Sequence, residues 1–456
     1  MTLSSRFAWI VALLFIASMS QYAPTAFNAL AHGEVQIWNL DAAAIEGAGP
    51  TKYFKDVFIL FLAVYWPVAL GQQQFPRGMR QFLTCYVVWL MLMVCVGLIA
   101  FIVQWSPTYF LLSGVRWLLL LHASLGLFVL ARNMPRERAV QNRLLALLSV
   151  LAVVDAYVAL RQFSLGVALK DIAFAAGRLT GVFSNAGVAG TFGVALAIFG
   201  LILDRASIPG RIGLIALAMF IALSSGTRSA MVSISIVGGL MTWELVSSRL
   251  ARESKQLLVM LAVPVAIVAF VGGYVVMVGA VGRGDMFAEQ LNEGGRVANV
   301  MLTLSDFSIA DPGEMLVGRG LGIATNTAIS YQTVQGIDPS QFRFNKLIDN
   351  TLVTLTFQTG VLGLVLFVAG ALAFFRFVRP RPLGHARGRY RALLFITLMM
   401  LFGGNLLEQY FLLTTLFIAF GDLYGKFGQN GLHIYNEEFS GEILTGSGSE
   451  IAEQRG

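Results

Sequence analysis

Charged residues are scarce in this chain. They make up 12% of its 456 positions, about half of the roughly 25% that soluble domains carry. Hydrophobic residues make up 57%, which is enough for about a dozen membrane spans of roughly 20 residues each. This balance excludes a disordered chain, a collagen and an ordinary soluble enzyme, and it predicts an integral membrane protein with many spans.

Cysteine and histidine are also rare, with two and four residues respectively. Cys85 and Cys95 lie ten residues apart in one apolar run, where they cannot pair within a helix. The histidines form no cluster with the spacing of a metal site, so we expect no metal and no cofactor. The net charge is +7, but no basic stripe with interleaved aromatics is present, so we expect no nucleic-acid partner.

Apolar windows predict an all-α membrane bundle of about 12 transmembrane helices. They divide the chain into helices 1–9 within residues 1–280, a large loop at 281–349, helices 10–12 within 350–428, and a tail at 429–456. The first window also resembles a secretory signal, and we interpret it as a signal-anchor span. The windows are 7–24, 53–71, 83–104, 114–131, 144–161, 187–203, 212–225, 229–247, 257–280, 350–376, 392–407 and 409–423.

The distribution of basic residues predicts the orientation of these spans. An even number of spans places both termini on one side, and 20 of the 32 basic residues fall in the tails and short linkers of that side. The positive-inside rule therefore places both termini in the cytoplasm. The loop 281–349 then lies outside, where its Gly and Pro breaks and amphipathic pieces predict short helices on the membrane surface. The tail 429–456 carries glutamates and a Gly-Ser stretch, which predict disorder.

Arg228 is the basic residue that most needs an explanation on the outer side. It lies in residues 224–230, Ser-Ser-Gly-Thr-Arg-Ser-Ala, a small polar hinge between two apolar segments. An arginine at membrane depth costs about 2–3 kcal/mol, so it persists where it faces a wet cavity or an anion. The alternative is an interfacial arginine that caps a helix.

Arg178 is a second candidate for anion binding. It lies in residues 177–185, Gly-Arg-Leu-Thr-Gly-Val-Phe-Ser-Asn, a glycine-broken segment before the sixth span, and an arginine beside a helix N-terminus favours phosphate. The alternative is a turn with an exposed arginine. Arg296, in an amphipathic piece of the large loop, and Arg319, in a glycine-rich stretch, are further candidates that surface charge or loop structure explains equally well.

Among the carboxylates, Asp349 is the candidate for a functional residue, because it lies at the start of the tenth span. It is either the N-cap of that helix or a base that accepts a proton from an incoming hydroxyl, and both roles are compatible. Asp155 and His122 also fall in apolar runs, and we interpret them as satisfied residues inside the bundle rather than as a proton relay.

In their order and spacing, four of these segments resemble the O-antigen ligase and polymerase family of bacterial inner-membrane glycosyltransferases. The resemblance covers about residues 175–375. In the ligases, His-Asn, nine residues and Gly stand where this chain has Asp349, Asn350, nine residues and Gly360. The matching segments are 177–185, 225–230, 316–322 and 349–364.

The chain departs from the family pattern at two positions, and the first departure favours a polymerase. Asp349 replaces the ligase histidine, and Gln358 replaces a glutamate that is often found nearby. The resemblance then implies a GT-C-like fold and an inverting, metal-independent polysaccharide polymerase in the bacterial inner membrane. Its donor would be a glycan on undecaprenyl diphosphate, and its acceptor the sugar hydroxyl of a lipid-linked repeat unit at the periplasmic face.

The resemblance also implies the roles of individual residues and the partners. Arg228 and Asp349 are the catalytic pair. The expected partners are the lipid bilayer and a chain-length regulator or flippase of the same pathway. A ligase that moves finished glycan onto lipid A-core or another acceptor remains an alternative. A transporter or flippase, which should carry ionisable residues through the midplane, is another. The diphosphate set is Arg178, Arg228, Arg296 and Arg319; the acceptor set is Asp349 as the base, with Asn350 and Gln358 beside it.

Overall fold

The structure is a computed structural model of the chain. Three predicted regions lie wholly or largely outside the described residues: the span at 257–280, the loop at 281–349 and the tail at 429–456. Arg296 and Asp349 are among the residues that are not described. The described residues are 3–20, 54–70, 77–103, 108–132, 137–164, 169–171, 175–183, 186–247, 300–301, 304–305, 310–323, 325, 350–380 and 384–427.

Within these residues the chain forms twelve α-helices, one short 3-10 helix and one two-stranded hairpin. The helices are α1 Leu3–Ser20, α2 Phe54–Leu70, α3 Arg77–Val103, α4 Thr108–Ala131, α5 Arg138–Ser164, α6 Ala186–Ile202, α7 Ile208–Ser225, α8 Arg228–Ser247, α9 Pro312–Val317, α10 Thr351–Val378, α11 Gly384–Gly403 and α12 Tyr410–Phe427. The strands are β1 Leu169–Asp171 and β2 Ala175–Arg178, and the 3-10 helix is Leu406–Glu408.

The predicted spans coincide with helices wherever the structure describes them, and α9 lies in the predicted loop. Eleven of the twelve predicted windows fall on a helix. Five helices (α3, α4, α5, α7 and α10) contain stretches that are long and apolar enough to cross a membrane, and α1 and α6 contain shorter apolar stretches. The helical, membrane-type architecture is therefore confirmed, while the count of twelve spans stays a prediction.

The hairpin is the one departure from helix among the described elements. β1 and β2 pair in antiparallel register, with Leu169 opposite Arg178 and Asp171 opposite Ala175. The sequence predicts a glycine-broken segment here within an all-α fold, so the hairpin is a correction to that fold class. A short hairpin satisfies its own backbone hydrogen bonds, which a segment between two apolar helices must do near a membrane.

Helix α6 lies at the centre of the bundle. Fifteen of its residues are buried, and its sequence is rich in Gly and Ala, which lets neighbouring helices approach closely. A Cβ on Gly193 would lie 2.9 Å from the carbonyl oxygen of Ala218 in α7. Phe15 of α1 packs its ring 5.5 Å from that of Phe199 and 5.3 Å from that of Phe411 in α12. Helices α1, α7 and α12 therefore pack around α6.

A network of charged residues joins four elements at the end of the bundle where α6 passes into α7. Arg389 of α11 makes two hydrogen bonds of 2.7 and 2.6 Å to the carboxylate of Glu244 in α8. Lys426 of α12 lies 3.0 Å from Asp204, in the α6–α7 turn, and 2.8 Å from Asp422. Because each carboxylate has a cationic partner within 4 Å, the network ties these helices together and offsets part of the cost of burying the charges.

Candidate functional site

Two of the sequence-predicted arginine segments meet at the opposite end of the bundle. Helix α7 ends at Ser225, and Gly226 follows in the left-handed conformation, with φ of 62°, before α8 begins at Arg228. The backbone amide of Leu179 donates a 2.9 Å hydrogen bond to the carbonyl of Ser224. The backbone next to Arg178 is therefore bonded to the last turn of the helix that leads into Arg228. We call residues 224–228 the hinge.

The first turns of α6 pack against the hinge. The hydroxyl of Thr227 donates a 3.0 Å hydrogen bond to the carbonyl of Ala186, the first residue of α6. A Cβ on Gly190 would lie 2.6 Å from the Cβ of Thr227 and 2.9 Å from the hydroxyl of Ser225. Only glycine permits this approach, so the N-terminus of α6, with its positive helix dipole, lies beside the backbone of both arginine segments.

Helix α5 holds the segment that follows Arg178. The Oε1 atom of Gln162 accepts 3.0 Å hydrogen bonds from the amides of both Thr180 and Gly181. Its Nε2 atom donates to the carbonyl of Gly181 at 2.9 Å and to the hydroxyl of Thr180 at 3.1 Å. Asp155 accepts from the amide of Val182 at 2.7 Å. This buried clasp fixes the backbone after Arg178, and it confirms that Asp155 is a satisfied residue inside the bundle.

His122 is satisfied only in part. It makes a hydrogen bond with the backbone of Ala63, and its ring lies 5.0 Å from that of Trp66. Among the described residues, its Nδ1 atom has no hydrogen-bond partner. The prediction of a satisfied residue is therefore only half right for this position.

The start of α10 is bonded to the end of α11, which lies beside the start of α8. Asn350 caps this helix, because its Oδ1 atom accepts from the amides of Leu352 and Val353 at 3.1 Å, and its Nδ2 atom donates to the carbonyl of Phe402 at 2.9 Å. A Cβ on the neighbouring Gly403 would lie 4.0 Å from the Cβ of Ser229, the second residue of α8. The start of the predicted segment 349–364, at Asn350, therefore lies at the same end of the bundle as Arg228.

The capping role predicted for Asp349 is wrong, because the adjacent Asn350 is the N-cap. The Asn350 side chain reaches the second and third amides of the helix, which is the geometry of a cap. Since the cap is supplied by its neighbour, Asp349 is not needed for that purpose. Its role as a base stays a prediction.

The glycine-rich stretch after α9 packs against a kink in α10. Gly360 has a φ of 64° inside α10, which breaks the helical hydrogen bonds there. The amides of Arg319 and Gly320 donate to the carbonyls of Phe357 and Gln358, at 2.9 and 3.1 Å. A Cβ on Gly318 would lie 2.5 Å from the backbone of Gln358. Two of the predicted motifs therefore form one backbone interface.

Gln358 has a structural position in this interface. Its side chain is buried, accepts from the indole of Trp117 at 3.0 Å, and donates to the carbonyl of Ile323 at 2.8 Å. It thus joins α4, α10 and the chain after the glycine-rich stretch. A role beside the acceptor stays a prediction for this residue.

Arg319 is buried rather than open to a ligand. Its side chain is 3% exposed and forms an ion pair with Glu314 of α9, and its guanidinium lies 4.4 Å from the centre of the Phe357 ring. Because Glu314 balances its charge and Phe357 covers it, we leave Arg319 out of the diphosphate set that the sequence analysis predicted. Glu314 and Arg319 lie close together in the sequence, but no sequence pattern indicates that their side chains form an ion pair.

One acidic residue at this end was missed by the sequence analysis. Glu408 lies half-buried in the 3-10 turn between α11 and α12. The next residue, Gln409, accepts a 3.0 Å hydrogen bond from the hydroxyl of Thr191 in α6, one position after the glycine that contacts the hinge. The available signal was that Glu408 is the sole carboxylate between Arg391 and Asp422.

Comparison with known proteins identifies no relative. No family model matches the chain, and neither a curated protein nor a solved structure matches it. Within the described ranges, no group of three His, Cys, Asp or Glu residues has the arrangement of a metal site. The basis for a function is therefore the set of residues around the hinge and their geometry.

Proposed function

We propose that the chain is a membrane glycosyltransferase, specifically a polysaccharide polymerase that uses undecaprenyl-diphosphate-linked glycan as its donor. The hinge end of the bundle is the proposed active site, on the periplasmic side of the bacterial inner membrane. Arg178 and Arg228 bind the diphosphate, Arg296 adds a further contact, and Asp349 receives the proton of the acceptor hydroxyl.

The observation that carries this proposal is the hydrogen bond between the Leu179 amide and the Ser224 carbonyl. It brings the backbone of two arginine-bearing segments together although they are about 50 residues apart in the chain. Each arginine is adjacent to a structure that holds its backbone: the Gln162 clasp follows Arg178, and the contact of Thr227 with α6 precedes Arg228. Fixed cations are what a charged leaving group requires.

The chemistry of the reaction explains why arginine is suited to this place. The bond between the anomeric carbon and the diphosphate oxygen breaks, and the acceptor oxygen forms the new bond on the opposite face of the sugar. The transition state resembles an oxocarbenium ion, while negative charge grows on the departing diphosphate. Guanidinium groups bind phosphate oxygens through paired hydrogen bonds, so they stabilise that charge, and Asp349 takes the acceptor proton.

The proposal is tested with purified protein and defined lipid-linked repeat units. We expect glycan chains to lengthen and undecaprenyl diphosphate to be released in equal amount. Arg228→Ala and Arg178→Ala should each lower the rate by about 10²–10³, the loss seen when one donor to a developing anion is removed. Arg161→Ala is the matched control, because Arg161 is an exposed arginine at the end of α5, and it should retain full activity.

Three results would contradict the proposal. Retained synthesis in a well-inserted Arg228→Ala variant would remove the proposed role of that residue. Transfer of glycan to lipid A-core without lengthening of repeat units would indicate a ligase instead. Movement of lipid-linked sugar across the bilayer with no new glycosidic bond would indicate a transporter.

A further inference from the structure

A cavity of about 540 Å³ lies at the end of the bundle opposite the hinge. It forms where the α6–α7 turn meets the first residues of α5 and α7. This end carries the basic linkers that predict the cytoplasmic side. The lining includes Arg138, Asp204, Arg205, Ser207, Ile208 and Pro209.

The electrostatics of this cavity favour an anion. The side chains of Arg138 and Arg205 are exposed, and neither has an ion-pair partner among the described residues. The one carboxylate in the lining, Asp204, lies 3.0 Å from Lys426 and 3.8 Å from Arg389, so its charge is already balanced. The two arginines therefore leave the cavity with excess positive charge.

The start of α7 adds backbone donors to these two cations. Ser207 is the N-cap residue of α7, but its side chain makes no capping hydrogen bond. The amides of the first turn therefore receive no acceptor from it, although a helix N-terminus attracts negative charge. Pro209, the second residue of α7, has no amide hydrogen, so the donors of this first turn are the amides of Ile208 and Gly210, and Ile208 lines the cavity.

The backbone around the cavity is held in place by α5. The amide of Arg205 donates a 2.9 Å hydrogen bond to the side chain of Gln141, and the amide of Ser207 donates a 2.9 Å bond to the side chain of Asn142. The turn that carries Arg205 is thus fixed against the first turns of the helix that carries Arg138. Little ordering of the backbone is needed when a ligand binds, which favours affinity.

An apolar stripe leads from the cavity along the outside of α7. Ile208 lines the cavity, and Ile212, Met219 and Leu223 follow it on one face of the helix, each 40–50% exposed. Their spacing of four, seven and four residues places them in line along the helix. An anion-binding site that continues into an exposed apolar stripe matches the two halves of an anionic phospholipid.

We propose that this cavity is a binding site for an anionic phospholipid. The lipid phosphate binds Arg138, Arg205 and the first turn of α7, and one acyl chain lies along the α7 stripe. Basic pockets between membrane helices bind anionic headgroups in this way. The site is distant from the hinge and does not depend on the glycosyltransferase proposal.

Native mass spectrometry of the full chain in detergent tests this site. Phosphatidylglycerol and phosphatidylcholine with identical acyl chains are added in parallel, and bound lipid is counted. We expect one phosphatidylglycerol to be retained preferentially. The double variant Arg138→Gln/Arg205→Gln should bind it about 30-fold more weakly, since each of the two basic residues near the membrane surface contributes about 1 kcal/mol to the binding of anionic lipid.

Three comparisons make the test decisive. Arg80→Gln, an exposed arginine of α3 outside the cavity, should bind phosphatidylglycerol like the unmodified chain. Arg138→Lys/Arg205→Lys should retain most of the binding, because it keeps both charges. Equal retention by the Gln double variant, or equal retention of both lipids, would overturn the proposal. Displacement of the lipid by millimolar inorganic phosphate would show a site for free phosphate instead.

Discussion

Gln162→Leu tests whether the α5 clasp holds the backbone after Arg178. The Gln162 side chain is 2% exposed and accepts hydrogen bonds from the amides of Thr180 and Gly181. Leucine fills a similar volume but offers no acceptor, so both buried amides lose their partner. Each such loss costs about 1–3 kcal/mol, which gives a destabilisation of about 2–6 kcal/mol for the pair by the same estimate.

The assay is thermal unfolding of the purified protein in detergent, followed by tryptophan fluorescence, together with the rate of glycan transfer. Gln162→Leu should lower the apparent Tm and reduce transfer, because the Arg178 segment loses its support. Arg161→Leu is the matched control: it introduces the same side chain one residue earlier, at an exposed position, and should leave Tm unchanged. Equal Tm values for the two variants would refute the reasoning.

Three further predictions concern other parts of the fold. Gly360→Ala should lower Tm, because the backbone conformation at Gly360 (φ 64°, ψ −169°) costs about 1–3 kcal/mol for residues other than glycine and the new Cβ would overlap the backbone of α9; Gly238→Ala, where that space is open, should not lower Tm. Burial opposes ionisation of Asp204, but the nearby cationic groups outweigh it and hold its pKa below the ordinary value. Its contribution to stability is therefore full above about pH 4 and lost as the pH falls through the lowered pKa. Tm should therefore fall less steeply with decreasing pH below about 4 in Asp204→Asn than in the unmodified chain. Glu314→Gln should destabilise the protein by about 3–5 kcal/mol because it leaves the buried Arg319 charge uncompensated, while Glu314→Gln/Arg319→Met should recover much of that loss; unchanged Tm in the single variant would contradict the ion pair's role.

Apolar patterning was sufficient to predict the helices but not the way in which their ends meet. The windows that predicted α5, α7 and α10 depend only on the local composition over about 20 residues, and a single sequence is enough to give that composition. The hydrogen bond from Leu179 to Ser224 joins the segment after β2 to the last turn of α7, and no local pattern encodes such a pairing. The hairpin was missed because strands of three and four residues are too short to establish an alternation.

The glycines of the candidate site show the same limit. Gly318 and Gly360 were noted as members of separate motifs, and the structure shows that each occupies space that a Cβ of the other would need. The interpretation of Asp349 as a helix cap, one of two left open, was wrong by one residue, because Asp and Asn are both good N-caps and only the geometry of α10 decides between them. Arg319 looked like a free loop cation, since the turn that brings Glu314 to it has no clear sequence signal.

A double-mutant cycle tests the central claim most directly. The claim is that Arg178 and Arg228 act together on one diphosphate leaving group. The rate of undecaprenyl diphosphate release is measured for Arg178→Ala, Arg228→Ala and the double variant. We predict that the double variant loses less than the sum of the single losses, with a coupling energy of about 0.5–3 kcal/mol, as for residues that share a partner. Losses that add to within about 0.5 kcal/mol, the behaviour of independent sites, would contradict a shared site at the hinge.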